Sequence, residues 1–332
     1  MMYLRYGFSI DEAIKVLKNI ETSKQQQLMN RLKQGIAFIS LFLFFINCSQ
    51  KQSVEWIPFI WEGDTISGKY IEKAFIYIPV KIDDLPHDFT MQLDLGANKT
   101  VFYGNTIYPY LKEYTSLTDN YNTPMLNNVR IQMGTVEFKS IDVGYMSGFG
   151  EKIHKDSLHT KTLKHIGTIA PDIFRDKILV IDYKSNRLAV SGSLPDEYRD
   201  LPAEEFELKD GIIKLPFRIN EKDCKLMFDT GSSSFQLVTS RERALEISDS
   251  VIIDSLSGPL WWGKEITFYG LNVNKTIKFK GYVLENSKVY YDKDGLWNEI
   301  FDSFDIWGIT GNAYFFDNIV IIDYRNKIFR ME

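Results

Sequence analysis

The feature that most constrains this chain is an internal repeat, with a period near 137 residues, in which four anchors recur in the same order. An apolar strand around a proline comes first, Ile78-Pro79-Val80-Lys81-Ile82 against Leu215-Pro216-Phe217-Arg218-Ile219. An apolar strand ending in Asp-x-Gly follows, Met91-Gln92-Leu93-Asp94-Leu95-Gly96-Ala97 against Leu226-Met227-Phe228-Asp229-Thr230-Gly231-Ser232. Thr135 to Lys139 then matches Thr276 to Lys280, and Ile166-Gly167 through Tyr183 matches Trp307-Gly308 through Tyr324. Phe138 to Gly167 and Phe279 to Gly308 are both 29 residues apart, and Gly167 to Asp182 and Gly308 to Asp323 are both 15. Asp94 to Phe138 is 44 residues and Asp229 to Phe279 is 50, a six-residue insertion in the second unit. A repeat of this kind implies two similar structural units.

Inside each unit the segments are short and rich in Val, Ile, Phe and Tyr, and runs such as ILVIDY and IVIIDY have strand length and end in polar turns. Only short stretches, such as Pro171 to Asp176 and Ser240 to Leu245, read as helical. The expected class is all-β with a few short helices. The expected division is a targeting segment over 1–47, a linker and strand over 48–75, a first unit over 76–195, a linker over 196–211 and a second unit over 212–332. Gly, Pro and charged residues concentrate at the junction between the units, Ser191 to Gly211.

Near the N-terminus, Gly35 to Ile46 is uncharged and apolar, with Arg31 and Lys33 before it and Asn47-Cys48-Ser49-Gln50 after it. A basic stretch, a short apolar run and small or polar residues describe a signal peptide over 29–47, with Met29 as the expected start. The run is too short for a comfortable membrane span of about 20 residues. Cys48 resembles the lipidated cysteine of a bacterial lipoprotein, although Phe45-Ile46-Asn47 departs from the usual Leu and small residues before it. That resemblance implies a lipid anchor, contact with a membrane, and a place in the bacterial cell envelope. Maturation at Cys48 would move the net charge from −5 to −8.

The charge balance and the lack of a Lys/Arg cluster argue against nucleic-acid binding. Two cysteines, Cys48 and Cys224, cannot build a disulfide framework. His154, His159 and His165 lie near Asp156, but their spacing fits no metal-ligand pattern and reads as a solvated loop. Gly144, Gly148 and Gly150 are not followed by Gly-Lys-Ser/Thr, so a phosphate cradle is not implied, and no Gly-x-Ser-x-Gly elbow is present. No metal, no cofactor and no oligomer is implied.

Asp229-Thr230-Gly231-Ser232-Ser233 after an apolar strand, followed some 80 residues later by Trp307-Gly308, resembles the lobe of aspartic proteases shared by pepsins and retroviral proteases. The resemblance covers roughly Ile76 to Met331. Two such lobes in one chain resemble the pepsin arrangement, and their shortness resembles fused retropepsin units. It implies a two-lobed acid-protease fold with Asp94 and Asp229 as a catalytic pair cleaving peptide bonds in a peptide or protein substrate. The known behaviour of such pairs is that two adjacent carboxylates cannot both ionise, so one keeps a proton while the other activates water.

The resemblance further implies supporting roles. Gly96 and Gly231 let backbone approach the carboxylates, Thr230 bonds across to the other lobe, Ser232 lies beside Asp229, and Gly167 and Gly308 pack behind the aspartate strands. Trp261 and Trp262 would form a flap tip gripping apolar substrate side chains, or else pack between strands, with Met133 at the matching tip of the first unit. Leu95 and Ala97 lack the hydroxyls of their counterparts. Asp94 is therefore expected to hold the shared proton, and a catalytically weak or inactive peptide-binding or structural lipoprotein of the same fold is the second expectation.

Overall fold

In a computed structural model, residues 54–114, 124–261 and 263–332 are described, with the backbone alone for 259–261. The signal-like segment, Cys48 and Trp262 lie outside these residues. The described chain is mostly β, with a few short helices. It belongs to one compact unit, Ser53–Glu332.

The strand Lys69–Ile82 illustrates why the sequence folds this way. Ala74, Ile76, Ile78, Val80 and Ile82 are buried, while the intervening Phe75, Tyr77 and Pro79 are half-buried on the opposite face, the two-residue period of a strand with one face on a core. Pro79 has no N–H to give to a ladder. It sits beyond the last pair with the strand Ile60–Ile66 (Ile60 opposite Tyr77). It precedes the first pair with Met125–Met133 (Lys81 opposite Gln132). Pro216 occupies the same kind of gap in Ile212–Ile219, between the Glu207–Lys214 and Arg218–Lys278 pairs. The first repeated anchor is thus a strand that changes neighbours at its proline.

Among the described residues the strands form three sheets. Seven strands from residues 60–169 form one, and ten strands from residues 207–310 form another. A six-stranded sheet is built from strands outside both stretches, and it joins the segments that follow each: Ile178–Asp182 pairs antiparallel with Ile319–Asp323. In that register Ile178 faces Asp323, Val180 faces Ile321 and Asp182 faces Ile319. Exchanging each residue for its repeat equivalent, 141 positions away, reproduces the same three pairs, so the ladder has a local two-fold through the Val180–Ile321 pair. Leu179 and Ile181 join the main core, which runs through both large sheets, while Val180 and Ile321 pack with Ile178, Ala189 and Tyr198 on the other face.

Helices are few. Pro171–Phe174 is a single 3₁₀ turn. Arg241–Glu246 is helical with Ser240 capping the Arg243 N–H. Among the described residues, Gly104–Tyr114 and Asn298–Ser303 are also helical; neither is among the stretches named from the sequence. The 196–211 junction contains the short paired strands Ala203–Glu205 and Glu207–Lys209.

Candidate active site

Two strands deliver the aspartates. Asp88–Leu93 leads to Asp94, and its parallel neighbour Lys164–Ile169 holds the Asp94 N–H through the Ile169 carbonyl at 2.9 Å. Lys222–Phe228 leads to Asp229, and its parallel neighbour Gly308–Thr310 holds the Asp229 N–H through the Thr310 carbonyl, also at 2.9 Å. A third strand flanks each pair in the same sheet, Val101–Tyr103 antiparallel to Lys164–Ile169 and Leu237–Thr239 antiparallel to Gly308–Thr310, crossing close at a glycine. A Cβ on Gly167 would lie 2.1 Å from the Val101 carbonyl oxygen, and one on Gly308 would lie 2.5 Å from that of Val238. Real Cβ atoms do not come so close, so glycine is required at both crossings.

The two carboxyl groups lie close enough for each to shift the pKa of the other. Each lies against the glycine of the opposite motif: a Cβ on Gly96 would sit 2.3 Å from Asp229 Cγ, and one on Gly231 would sit 2.8 Å from Asp94 Cγ. Asp94 Oδ1 accepts the N–H groups of Gly96 (3.0 Å) and Ala97 (3.1 Å). Asp229 Oδ1 accepts the Gly231 N–H at 2.8 Å, and its Oδ2 accepts the Ser232 hydroxyl at 2.9 Å. Burial, and then the charge of Asp229 and the hydrogen bond with it, hold Asp94 well above the usual carboxylate range. Burial also raises Asp229, but the Ser232 hydroxyl leads the donors that oppose the rise.

Thr230 links the two motifs. Its hydroxyl donates to the Leu93 carbonyl (2.8 Å) and accepts the Leu95 N–H (2.9 Å). Leu95, fully buried in the core, returns no such bond. A further support was not visible in the sequence: the Asn312 side chain donates to the Thr230 carbonyl (3.0 Å) and the Ser233 hydroxyl (2.5 Å). Asn312 in turn accepts the Tyr183 hydroxyl from the first half of the chain (2.7 Å). The only hint of it was Gly311-Asn312, which stands where the first repeat unit has Ala170-Pro171.

The pair lies in a cleft of about 410 Å³, whose walls include Ala74, Phe75, Gln92, Tyr103, Phe149, Ser234, Phe235 and Trp297. Two hairpins reach it. One, Ile60–Ile66 with Lys69–Ile82, contributes Asp64, Thr65 and Ile66. The other, Ser248–Trp261 with Lys264–Val273, contributes Ser257, Gly258 and Gly263 near its tip. They touch: the Ser67 hydroxyl donates to the Ser257 carbonyl at 3.1 Å, and Lys69 pairs with Asp254 at 3.2 Å. The backbone of Trp261 is at the second hairpin's tip, opposite Lys264; the side chains of Trp261 and Trp262 lie outside the described residues.

Met133 does not reach the cleft. It follows Val129 and Ile131 on the buried face of its strand and is itself fully buried. The neighbouring turn lies against Ile57, which a Cβ on Gly134 would approach to 3.1 Å. Counting back from Phe138 and Phe279, Met133 matches Asn274, twelve residues past Trp262. The two tips are therefore different turns, which the sequence reading equated. The histidines also separate: His154 caps the 155–157 turn, His159 meets Glu113 at 3.4 Å, and His165 stacks on Tyr77. Among the described residues, no group of three or more His, Cys, Asp or Glu is arranged to hold a metal ion.

No protein-family model matches the chain, and no curated protein matches it. Among solved structures it is distantly similar to the crystal structure of aspartic proteinase from Irpex lacteus, at 11% identity over 84% of this chain and 97% of that one, with a TM-score of 0.44.

Proposed function

We propose that the protein is an aspartic-type endopeptidase of two pepsin-like lobes, with Asp94 and Asp229 as its catalytic pair. The observation that carries the reading is the pair of adjacent carboxyl groups, each against the other motif's glycine, at the wall of an open cleft. Such a pair retains one proton because two adjacent negative charges repel. Asp229, with a hydroxyl and an N–H on its two oxygens, is the ionised member and takes the proton from an attacking water. Asp94 keeps the shared proton and gives it to the peptide carbonyl oxygen. The coupled pair titrates as a unit, so this assignment names the dominant microstate.

A second reading is supported by Leu95: with the inter-motif bond made from one side only, the fold would bind extended peptides without cutting them. One experiment separates the two. A mixed-peptide screen from acid to neutral pH should yield cleavage products with the wild-type protein, and Asp94→Asn and Asp229→Asn should each abolish them. Identical peptide profiles for wild type and Asp229→Asn at every pH would leave the binding reading. On the order of its N-terminal segments alone, we also propose that Cys48 carries lipid and tethers the protein in the cell envelope. Mass spectrometry of the native protein would refute this by finding residues 1–47 intact.

A further inference from the structure

The outer face of the seven-stranded sheet continues the cleft. In Lys69–Ile82 the core takes Ala74, Ile76 and Ile78, so Phe75 and Tyr77 point the other way. Glu62 pairs opposite Phe75, and Ile60 and Gln92 pair opposite Tyr77. Directly opposed residues share a face, so Glu62 stands among these rings. His165 stacks flat on Tyr77, with ring centres 4.2 Å apart and an interplanar angle of 5°. Tyr103 meets His165 edge-on at 5.3 Å, and Phe149 meets Tyr103 at 4.8 Å. Phe75, Gln92, Tyr103 and Phe149 line the same cleft as Asp94 and Asp229. An aromatic floor thus runs from the aspartate pair outward.

It ends at two carboxylates. Asp64 lines the cleft, and both carboxylates lie near the Tyr77 hydroxyl: after burial, Glu62, then Tyr103, then Asp64 oppose its ionisation. Both are exposed. The neighbouring cations are already engaged: Lys69 pairs with Asp254 at 3.2 Å, and Lys73 lies over the rings of Trp61 and Phe316. His165 adds no positive charge near neutrality, because burial lowers its pKa to about 4. Negative charge at the rim is therefore left without a counter-charge from these groups, at the end of a surface of ring faces.

We propose that this surface is a subsite for a lysine or arginine side chain of the bound peptide. Its aliphatic stem would lie across Phe75 and Tyr77, with its cation between the ring faces and the carboxylates of Glu62 and Asp64. A long basic side chain has the required apolar stem and charged end, and a cation over an aromatic ring is attracted by the ring's quadrupole. The proposal rests on the cleft being a peptide site, as the peptidase reading holds.

The test uses the Asp229→Asn protein, which should bind without cutting, and fluorescein-labelled short peptides in which lysine or norleucine is placed at each position in turn. At one position lysine should bind roughly tenfold more tightly than norleucine. The double variant Glu62→Gln, Asp64→Asn in the same background should lose that preference, and Asp64→Lys should transfer it to a glutamate peptide. Equal affinities at every position, or a lysine preference that the double variant keeps, would overturn the subsite. Cleavage of the same peptides by the wild type separates the two claims. Asp229-dependent cleavage without a lysine preference sinks the subsite and leaves the peptidase. A carboxylate-dependent lysine preference without cleavage supports the subsite and sinks the peptidase.

Discussion

Thr230 and Leu95 occupy equivalent positions, yet only one has a hydroxyl to give. The Thr230 hydroxyl satisfies both the Leu93 carbonyl and the Leu95 N–H in a buried setting. Thr230→Val keeps the shape and removes both bonds. Leaving buried backbone groups unpaired costs about 1–3 kcal/mol, so a loss of that size is expected in chemical denaturation. Leu95→Thr should raise peptidase activity by restoring the reciprocal bond, which a kcat measurement checks. The carboxyl pair itself makes a stability prediction. Asp94 is raised well above its ordinary value of 3.8, so the native state holds a proton that the unfolded chain releases first. Stability from this group is present at low pH and falls as pH rises from about 4 to the point where Asp94 ionises in the fold. Asp94→Asn should therefore melt higher than wild type at neutral pH while losing activity, and the difference should shrink toward pH 3. A wild type equally stable across that range would contradict the raised pKa.

At the scale of elements, the two glycine crossings are the most sensitive points. Gly167→Ala or Gly308→Ala would force a Cβ onto a backbone carbonyl, and backbone cannot swing aside as a long side chain can. Overpacking of this kind costs about 1–3 kcal/mol and sometimes more, and the upper end is expected here, read as a fall in melting temperature. These crossings were legible in the sequence because glycine recurs at fixed spacing from Phe138 and Phe279, and so were the aspartates, which end matched apolar strands. Other features were not. The helix Gly104–Tyr114 contains Pro109, which argues against a helix when read alone. The Met133 tip was misassigned because turn position depends on strand pairing, and a lone Met-Gly carries no mark of which face it will take. The aromatic floor is not legible in the sequence because Phe75, Tyr77, Tyr103 and His165 are spread over 91 positions and meet only when three strands align. The Trp261–Trp262 tip remains a prediction at this scale. Replacing either by Ala should weaken binding of apolar peptides while leaving stability nearly intact; a loss of about 3–5 kcal/mol with binding per folded molecule unchanged would mean that the rings pack as core.

For the whole molecule, the aspartates meet only because both halves of the chain are joined below them. Ile178–Asp182 and Ile319–Asp323 lie side by side in one sheet, and the Tyr183 hydroxyl reaches across to Asn312, which holds the Thr230 carbonyl. Phe174 stacks with Tyr324 across the same junction. Four apolar residues of the Ile178–Asp182 and Ile319–Asp323 strands sit in the main core (Leu179, Ile181, Val320, Ile322), so neither half can close its own core without the other. Unfolding should therefore be a single cooperative transition, with calorimetric and van't Hoff enthalpies equal, rather than two successive ones. The Val180–Ile321 pair offers the sharpest test, since both residues are buried at the centre of the local two-fold. Val180→Asp or Ile321→Asp places an unpaired carboxylate there, which is strongly destabilising. Either change should lower the stability of both halves together, as followed by tryptophan signals from Trp61 in the first and Trp297 in the second. If only the mutated half lost structure, the central sheet would be a contact between independent units, and the pairing of the aspartates would have to rest on the other links, the Thr230 bridge and the Tyr183–Asn312 bond among them.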